Sequence, residues 1–306
     1  MKANSYFLKT TTVITIVILL FTSCINDFSG STQPKDETID RLNEILVDFG
    51  VTEEEKDAEG HAALYLSESS TINFVLKNYG APNILSLTRD QWIGFFTSWD
   101  YEYFPIYSGI NFVVKKGMAA DSHSFQGFRD GEPDLFGNDI FVYIQTPDDW
   151  KILNLSSTVT FPDDTTNYEN LGPIEEVPET VFYNFEQAFK DNNLELFESL
   201  FVSNTAPCFR FKTLFQDQYS NEKHSAAAFF ETLDTSNSNL QIDFKNFKID
   251  IEDQFTALLS AKYTIKKDGL FLEKGQILST LVATPDQGWK ISTVLFSIDK
   301  SFAVLP

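Results

Sequence analysis

Three histidines, His61, His123 and His224, are the only imidazoles in the 306-residue chain. Each is a candidate acid or base, because proton transfer by a positioned side chain falls most often to histidine. His123 stands in "DSHSF", two residues after Asp121, on a loop or strand edge from which it could enter a pocket. His123 and Asp121 are therefore the catalytic candidates. His61 in "EGHAALYL" and His224 at the head of "SAAAFFETL" read as helix-surface or capping residues.

Other chemistry has less to stand on. "DGEPDLFGND" (130–139) places Asp130, Glu132 and Asp134 at alternate positions, as a calcium loop does. Leu135 stands where such a loop needs glycine, and Phe141 where it needs a bidentate glutamate. A solvated hairpin loop explains the run, and no metal is expected. Zinc spacing, phosphate-cradling glycine loops and a serine nucleophile elbow are missing, so no cofactor is expected either. The clearest local anomaly is "SWDYEYFPIYSG" (98–109), in which Trp99, Tyr101 and Tyr103 alternate with Asp100 and Glu102. On a strand, that alternation makes one face aromatic and the other acidic. With Trp92, Phe96 and Arg129, these aromatics are candidates to line a ligand pocket. A domain-docking surface and a bulky core are the competing explanations.

The elements that must position these residues begin after a leader. "MKANSYFLKTTTVITIVILLFTSC" carries Lys2 and Lys9, a short apolar run and small residues before Cys24. That is the anatomy of a bacterial secretory signal, with an apolar stretch too short for a stable spanning helix. "LFTSC" resembles a lipoprotein box, although Phe21 holds the place usually taken by leucine. The resemblance implies removal of residues 1–23, a lipid on Cys24 and a tether over 24–37. The expected location is the bacterial cell envelope, with the membrane reached through that anchor.

Cys208 is the only other cysteine, so the mature chain is expected to hold no internal disulfide. Its net charge of −21 becomes −23 when Lys2 and Lys9 are lost (−21 − 2). Such a chain is repelled by phosphate backbones, which argues against nucleic-acid partners. With 42% apolar and 15% aromatic residues, it is rich enough to bury real cores.

The chain repeats itself. "TPDDWKI" (146–152) returns as "TPDQGWKI" (284–291), and "GNDIFVYIQTPD" (137–148) faces "GQILSTLVATPD" (275–286). "WIGFFTSWD" (92–100) faces "AAAFFETLD" (226–234), and "ALYLSES" (63–69) faces "SLFVSNT" (199–205). These matches are collinear, as in two diverged copies of one domain. The expected division is a first domain over 38–161, a Pro-rich acidic linker over 162–177 and a second domain over 178–306.

In the second copy, Phe182, Phe185 and Phe189 recur at helical spacing, "LELFESLFV" reads as a second short helix and "NEKHSAAAFFETL" as a third. After Leu240 the pattern turns to long strands separated by turns such as "KKDG" and "PDQG". The repeated phrase is then the hairpin before the last strand, with its tryptophan as a core anchor.

Helix, "FKDNNLELFESLF", helix and long strands ending in "GWKISTV" resemble the nuclear transport factor 2-like superfamily, which includes polyketide cyclases, steroid isomerases and binding modules. The resemblance implies an α+β fold of two tandem cones, each with about three N-terminal helices packed on a curved antiparallel sheet that leaves a pocket at its open end. No histidine is shared between the copies, which argues against one mechanism common to both. The expected function is a lipid-anchored binding or interaction module without catalysis, with a small ligand in the first cone or an envelope protein as partner. The alternative is a proton-transfer enzyme, cyclase-like or isomerase-like, active in the first domain only; it requires His123 or Asp121 to point inward. "DTT" (164–166) resembles an O-glycosylation acceptor, which makes Thr165 a modification candidate.

Overall fold

The computed structural model describes residues 35–68, 70–77, 82–115, 117–162, 177–203, 206, 208–214, 218–232 and 240–301. The signal segment, Cys24, residues 24–34 of the expected tether, Thr165 and most of the expected linker lie outside these residues, while residues 35–37, expected in the tether, already belong to the first helix. Among the described residues no helix is long and apolar enough to cross a membrane.

The first half runs α1 (Lys35–Glu54), α2 (Ala58–Leu64), β1 (Thr71–Lys77), β2 (Asn83–Thr88), α3 (Arg89–Phe96), β3 (Tyr103–Lys115), β4 (Met118–Arg129), β5 (Glu132–Gln145) and β6 (Trp150–Thr160). The second repeats the order with α4 (Glu179–Lys190), α5 (Leu194–Ser199), β7 (Cys208–Leu214), β8 (Gln218–His224), α6 (Ala226–Thr232), β9 (Leu240–Asp253), β10 (Thr256–Lys267), β11 (Leu270–Thr284) and β12 (Gly288–Ser301). The fold is α+β, with three helices against each of two six-stranded sheets. Strand orders are β2-β1-β6-β5-β4-β3 and β8-β7-β12-β11-β10-β9. All pairings are antiparallel except β1 with β6 and β7 with β12.

The helices start where local chemistry starts them. Asp57 accepts the Gly60 N–H at 3.0 Å to cap α2, and Asn193 accepts that of Leu196 at 2.9 Å to cap α5. Thr88 and Gln91 close a reciprocal capping box on α3. In α4, Phe182, Phe185 and Phe189 are all buried on one face, as their spacing predicts.

One expectation needs correction. A hairpin, β1–β2 or β7–β8, stands between the second and third helices of each half, and "NEKHSAAAFFETL" divides into the end of β8 and α6. β1 escapes an alternation reading because both its faces are covered: Ile72 and Phe74 pack in their own half, while Val75 joins Phe255 and Val282 of the other.

The halves correspond residue by residue at several places. Asp130-Gly131 and Asp268-Gly269 join β4 to β5 and β10 to β11, with φ of 50° and 85° in the first pair and 52° and 77° in the second. Positive φ at both central residues is the hairpin geometry that Asp-Gly favours. A Cβ at Gly137 would lie 1.7 Å from the Thr158 carbonyl oxygen, and one at Gly275 would lie 1.8 Å from that of Ser297, so neither position tolerates a side chain. Trp150 and Trp289 are buried at the start of β6 and β12. Tyr65 bridges Ile152 just as Phe201 bridges Ile291.

The sheets pack on each other through their outer faces. Met118, Ala120, Ile140, Val142, Ile144 and Leu153 form one buried cluster with Leu258, Leu278 and Leu295. Asn154 sits within this layer: its amide donates to Ser292 Oγ at 3.1 Å, and its Oδ1 accepts from Thr280 at 2.9 Å and Ser156 at 3.0 Å. Paired in this way, the polar groups fix the register of the two sheets at little desolvation cost. Lys77 pairs with Asp253 at 3.0 Å at one edge of the contact.

Candidate functional site

The helix-facing side of β4 carries Ala119, Asp121, His123 and Phe125. A register shift between Ser108 and Asn111 leaves His123 at a bulge in the β3–β4 pairing. Bulges re-aim a side chain, and here the imidazole turns into the interior. Asp121 is 0% exposed and His123 1%, so neither faces solvent, contrary to a loop or strand-edge position.

The Asp121 carboxylate accepts from His123 Nδ1 at 2.7 Å through Oδ1 and from the Tyr143 hydroxyl through Oδ2. On the other side of the ring, His123 Nε2 lies 3.6 Å from Asp139 Oδ2, on the facing residue of β5. Neither His123 Nε2 nor Asp139 Oδ1 has a hydrogen-bond partner. Burial works against a charged imidazole, but the charge and hydrogen bond of Asp121, with Asp139 adding, outweigh it and push His123 up to about 9. The ring is therefore an imidazolium at neutral pH, with N–H donors at both nitrogens.

Glu53, in the last turn of α1, is a further acid that no motif marks out. It is 3% exposed and accepts from Trp92 Nε1 at 3.1 Å. Burial, with the nearby Asp139, raises its carboxyl well above the usual range, against the hydrogen bond from Trp92. Burial also raises the phenols of Tyr65 and Tyr103, and the fields of Glu53 and Asp139 raise them further. The interior thus gathers one imidazolium, a carboxyl that burial pushes toward its neutral form, two aspartates and several phenols. Such a set can give a proton at one atom and take one at another, provided a reacting molecule reaches both.

The walls are aromatic. Tyr107 meets the His123 ring edge-on at 4.8 Å, and Phe141 stacks on it at 5.6 Å. The pocket candidates of the sequence also converge. Trp99 contacts Trp92 at 5.9 Å, Phe96 at 6.3 Å, Tyr101 at 5.3 Å and Tyr103 at 4.9 Å, and Arg129 lies 4.2 Å over the Tyr101 ring. They do not form the expected strand face, because Trp99 and Tyr101 belong to the turn before β3. They lie on the helix side of the sheet, away from the contact between the halves.

His61 also departs from expectation. It is wholly buried, not on the helix surface, and its ring packs against Phe49 at 4.6 Å and Phe96 at 4.7 Å. The side chain of His224 lies outside the described residues. Asp130 accepts the Glu102 N–H at 3.0 Å, and Asp134 pairs with Arg129 at 3.0 Å. Glu132 opens β5 opposite Arg129. Among the described residues no group of three or more His, Cys, Asp or Glu could hold a metal ion. Cys208 is buried, and burial raises its thiol, which leaves it a core residue.

Two surface grooves, of about 140 and about 450 Å³, are lined by none of Glu53, His123 and Asp139. The larger lies beside Lys77, Asn138 and Asp253. Those side chains bind one another, so the groove reads as part of the clamp between the halves.

Among known proteins, no family model matches the chain, and no curated protein does. Solved structures do. A proposed dehydratase of the NTF2-like family from Streptomyces avermitilis is 14% identical, with 42% of this chain and 99% of that chain covered, at a TM-score of 0.35. An NTF2-like protein with a cystatin-like fold from Novosphingobium aromaticivorans is 13% identical over 42% of this chain and 85% of its own, at 0.34. A proposed scytalone dehydratase from the same organism is 16% identical over 42% and 88%, at 0.35. At TM-scores this low, the likenesses decide nothing about what the chain does.

Proposed function

We propose that the first half binds a small uncharged molecule in its interior and moves a proton on it, while the second half acts as a structural partner. The observation that carries this reading is the His123 imidazolium between Asp121 and Asp139, with Nε2 3.6 Å from Asp139 Oδ2 and neither Nε2 nor Asp139 Oδ1 in a hydrogen bond. In this reading His123 is the acid, giving its Nε2 proton to an oxygen of the ligand. Asp139 Oδ1 is the base that takes a proton, and Asp121, itself steadied by Tyr143, holds the imidazole in place. An anion is disfavoured, because it would enter an interior that already holds two aspartates. The sequence motifs and the shared strand order support each half being a nuclear transport factor 2-like cone.

The test is hydrogen exchange on a carbon acid. The full chain is incubated in D2O with 2-indanone, and deuterium uptake is followed by proton NMR beside His123→Gln and Asp139→Asn. Uptake above the buffer rate that both substitutions abolish supports the reading. Uptake at the buffer rate, or uptake that survives both substitutions, contradicts it.

We also propose, from the lipoprotein-box motif, that a lipid on Cys24 holds the protein at the cell envelope. Radiolabelled palmitate incorporated by the chain and lost in Cys24→Ser would support the anchor; equal labelling of both would refute it.

A further inference from the structure

His61 and Tyr65 are buried polar residues that the proton-transfer pair does not use. The protonation of His61 follows from its neighbour. Thr52 Oγ1 lies 2.9 Å from the Asp48 carbonyl oxygen and 3.0 Å from that of Phe49, so its hydrogen is committed to the helix backbone. Toward His61 Nδ1, at 2.8 Å, it presents a lone pair. With the hydroxyl hydrogen on those carbonyls, the donor role at this contact falls to Nδ1, and Nε2 is then the acceptor. Burial lowers His61 to about 3 against a small opposing effect of Asp57, so the ring stays neutral.

Neither His61 Nε2 nor the Tyr65 hydroxyl has a partner, and the two rings are neighbours with centroids 5.5 Å apart. Both rings rest on Phe49, whose other side meets Phe141, and Phe141 stacks on His123. Tyr65 belongs to the same buried cluster as Phe49, Trp92, Phe96 and Phe141. Packing does not require these polar atoms. The second half fills the two places with Phe197 and Phe201, both buried.

An unpaired acceptor beside an unpaired hydroxyl is complemented by one group that both donates and accepts. We infer that His61 and Tyr65 form a hydroxyl-recognition point of the first half, where a ligand O–H donates to His61 Nε2 and accepts from Tyr65 OH. The inference rests on the reading that this interior takes a ligand, and it narrows that ligand to an alcohol or phenol. A carboxylate or phosphate would set its lone pairs against that of Nε2. An ether could accept from Tyr65 but would leave His61 unpaired.

The test uses full chain with 15N-labelled histidine, titrated with phenol and, separately, with anisole as the matched probe without a donor. Before addition, the long-range spectrum should show His61 neutral with its proton on Nδ1. Phenol should shift the Nε2 resonance and anisole should not. His61→Phe and Tyr65→Phe copy the second half and should fold. The first should abolish the preference for phenol, and the second should weaken phenol binding roughly fivefold to tenfold. A proton on Nε2, equal responses to phenol and anisole, or no response beyond that of water alone would overturn the inference. The unsubstituted chain, given both probes, separates the two readings. If His61 still answers phenol while 2-indanone does not exchange, the recognition point stands and the catalytic reading fails. If 2-indanone exchanges while His61 ignores phenol, the recognition point is refuted.

Discussion

On one scaffold, the first half buries Glu53, His61, Tyr65, Asp121, His123, Asp139 and Tyr143, where the second has Phe189, Phe197, Phe201, Leu259, Ala261, Ile277 and Leu281. The correspondence is fixed by the Tyr65 and Phe201 bridges and by Gly137 and Gly275. His123 faces Asp139 across β4–β5 just as Ala261 faces Ile277 across β10–β11. The second interior is instead packed with phenylalanine rings, such as Phe185 against Phe197 at 4.7 Å and Phe229 against Phe296 at 5.0 Å. The fold therefore closes without the polar set. Buried charges are costly to desolvate even when paired, so a set that folding does not need points to binding or chemistry.

The sharpest way to break this comparison is to move a charge across it. Ile277→Asp places the counterpart of Asp139 among apolar side chains without a histidine partner. Its expected cost is about 4 kcal/mol or more, read as a collapse of the urea midpoint. A midpoint near that of the parent would mean that the second interior is as tolerant of charge as the first.

Next in size is Asp121→Leu, which strands the His123 imidazolium and should cost about 3 kcal/mol. Adding His123→Ala, so that both positions match Leu259 and Ala261, should recover much of that loss. Additive losses in a double-mutant cycle would show that the pair is not coupled.

Proton linkage gives a smaller, signed effect. His61 has its folded-state value lowered to about 3 by burial, so its contribution is fully present above the unfolded value of 6.5 and is lost as pH falls toward 3. His61→Phe should remove about 2 kcal/mol of the stability lost between pH 7 and pH 5. His123 has the opposite sign: its contribution is present below pH 6.5 and is lost as pH rises through about 9. His123→Gln should therefore flatten the alkaline side of the stability profile. Urea unfolding across pH 5–10 checks both slopes.

The smallest expected effect is at the seam. Lys77 and Asp253 are 12% and 16% exposed at the side chain, and Lys77→Met should cost about 1 kcal/mol. Two separate melting steps in that variant would show that the halves are coupled chiefly through this pair and not through the apolar layer around Leu153 and Leu295.

The scaffold was more legible in the sequence than the site. Repeated "TPD…WKI" phrases, Phe182, Phe185 and Phe189 at helical spacing, and the long strands after Leu240 report directly on local periodicity. β1 was hidden because a strand covered on both faces reads as an apolar run. Asp121 and His123 were visible as a pair, but the helices and rings that cover their face of β4 come from tertiary packing that no spacing reveals. Glu53 sits in "VTEEEK", where an acidic run looks like a solvated helix end and only tertiary packing turns one carboxyl inward. Asp139 looked like part of a hairpin loop. The signal that could have found it is the comparison of the copies, Asp139 against Ile277 and His123 against Ala261. A histidine missing from one copy marks a difference in role more than an absence of chemistry.

The most direct test of the account is to rebuild the first interior in the image of the second. Asp121→Leu, His123→Ala, Asp139→Ile and Tyr143→Phe would be combined in one chain, and its urea midpoint would be measured at pH 7. The account predicts a midpoint equal to or above that of the parent, together with loss of 2-indanone exchange, because apolar replacement of a buried charged set is often neutral or stabilising. A clearly lower midpoint would contradict it and would make the charged cluster a part of the fold.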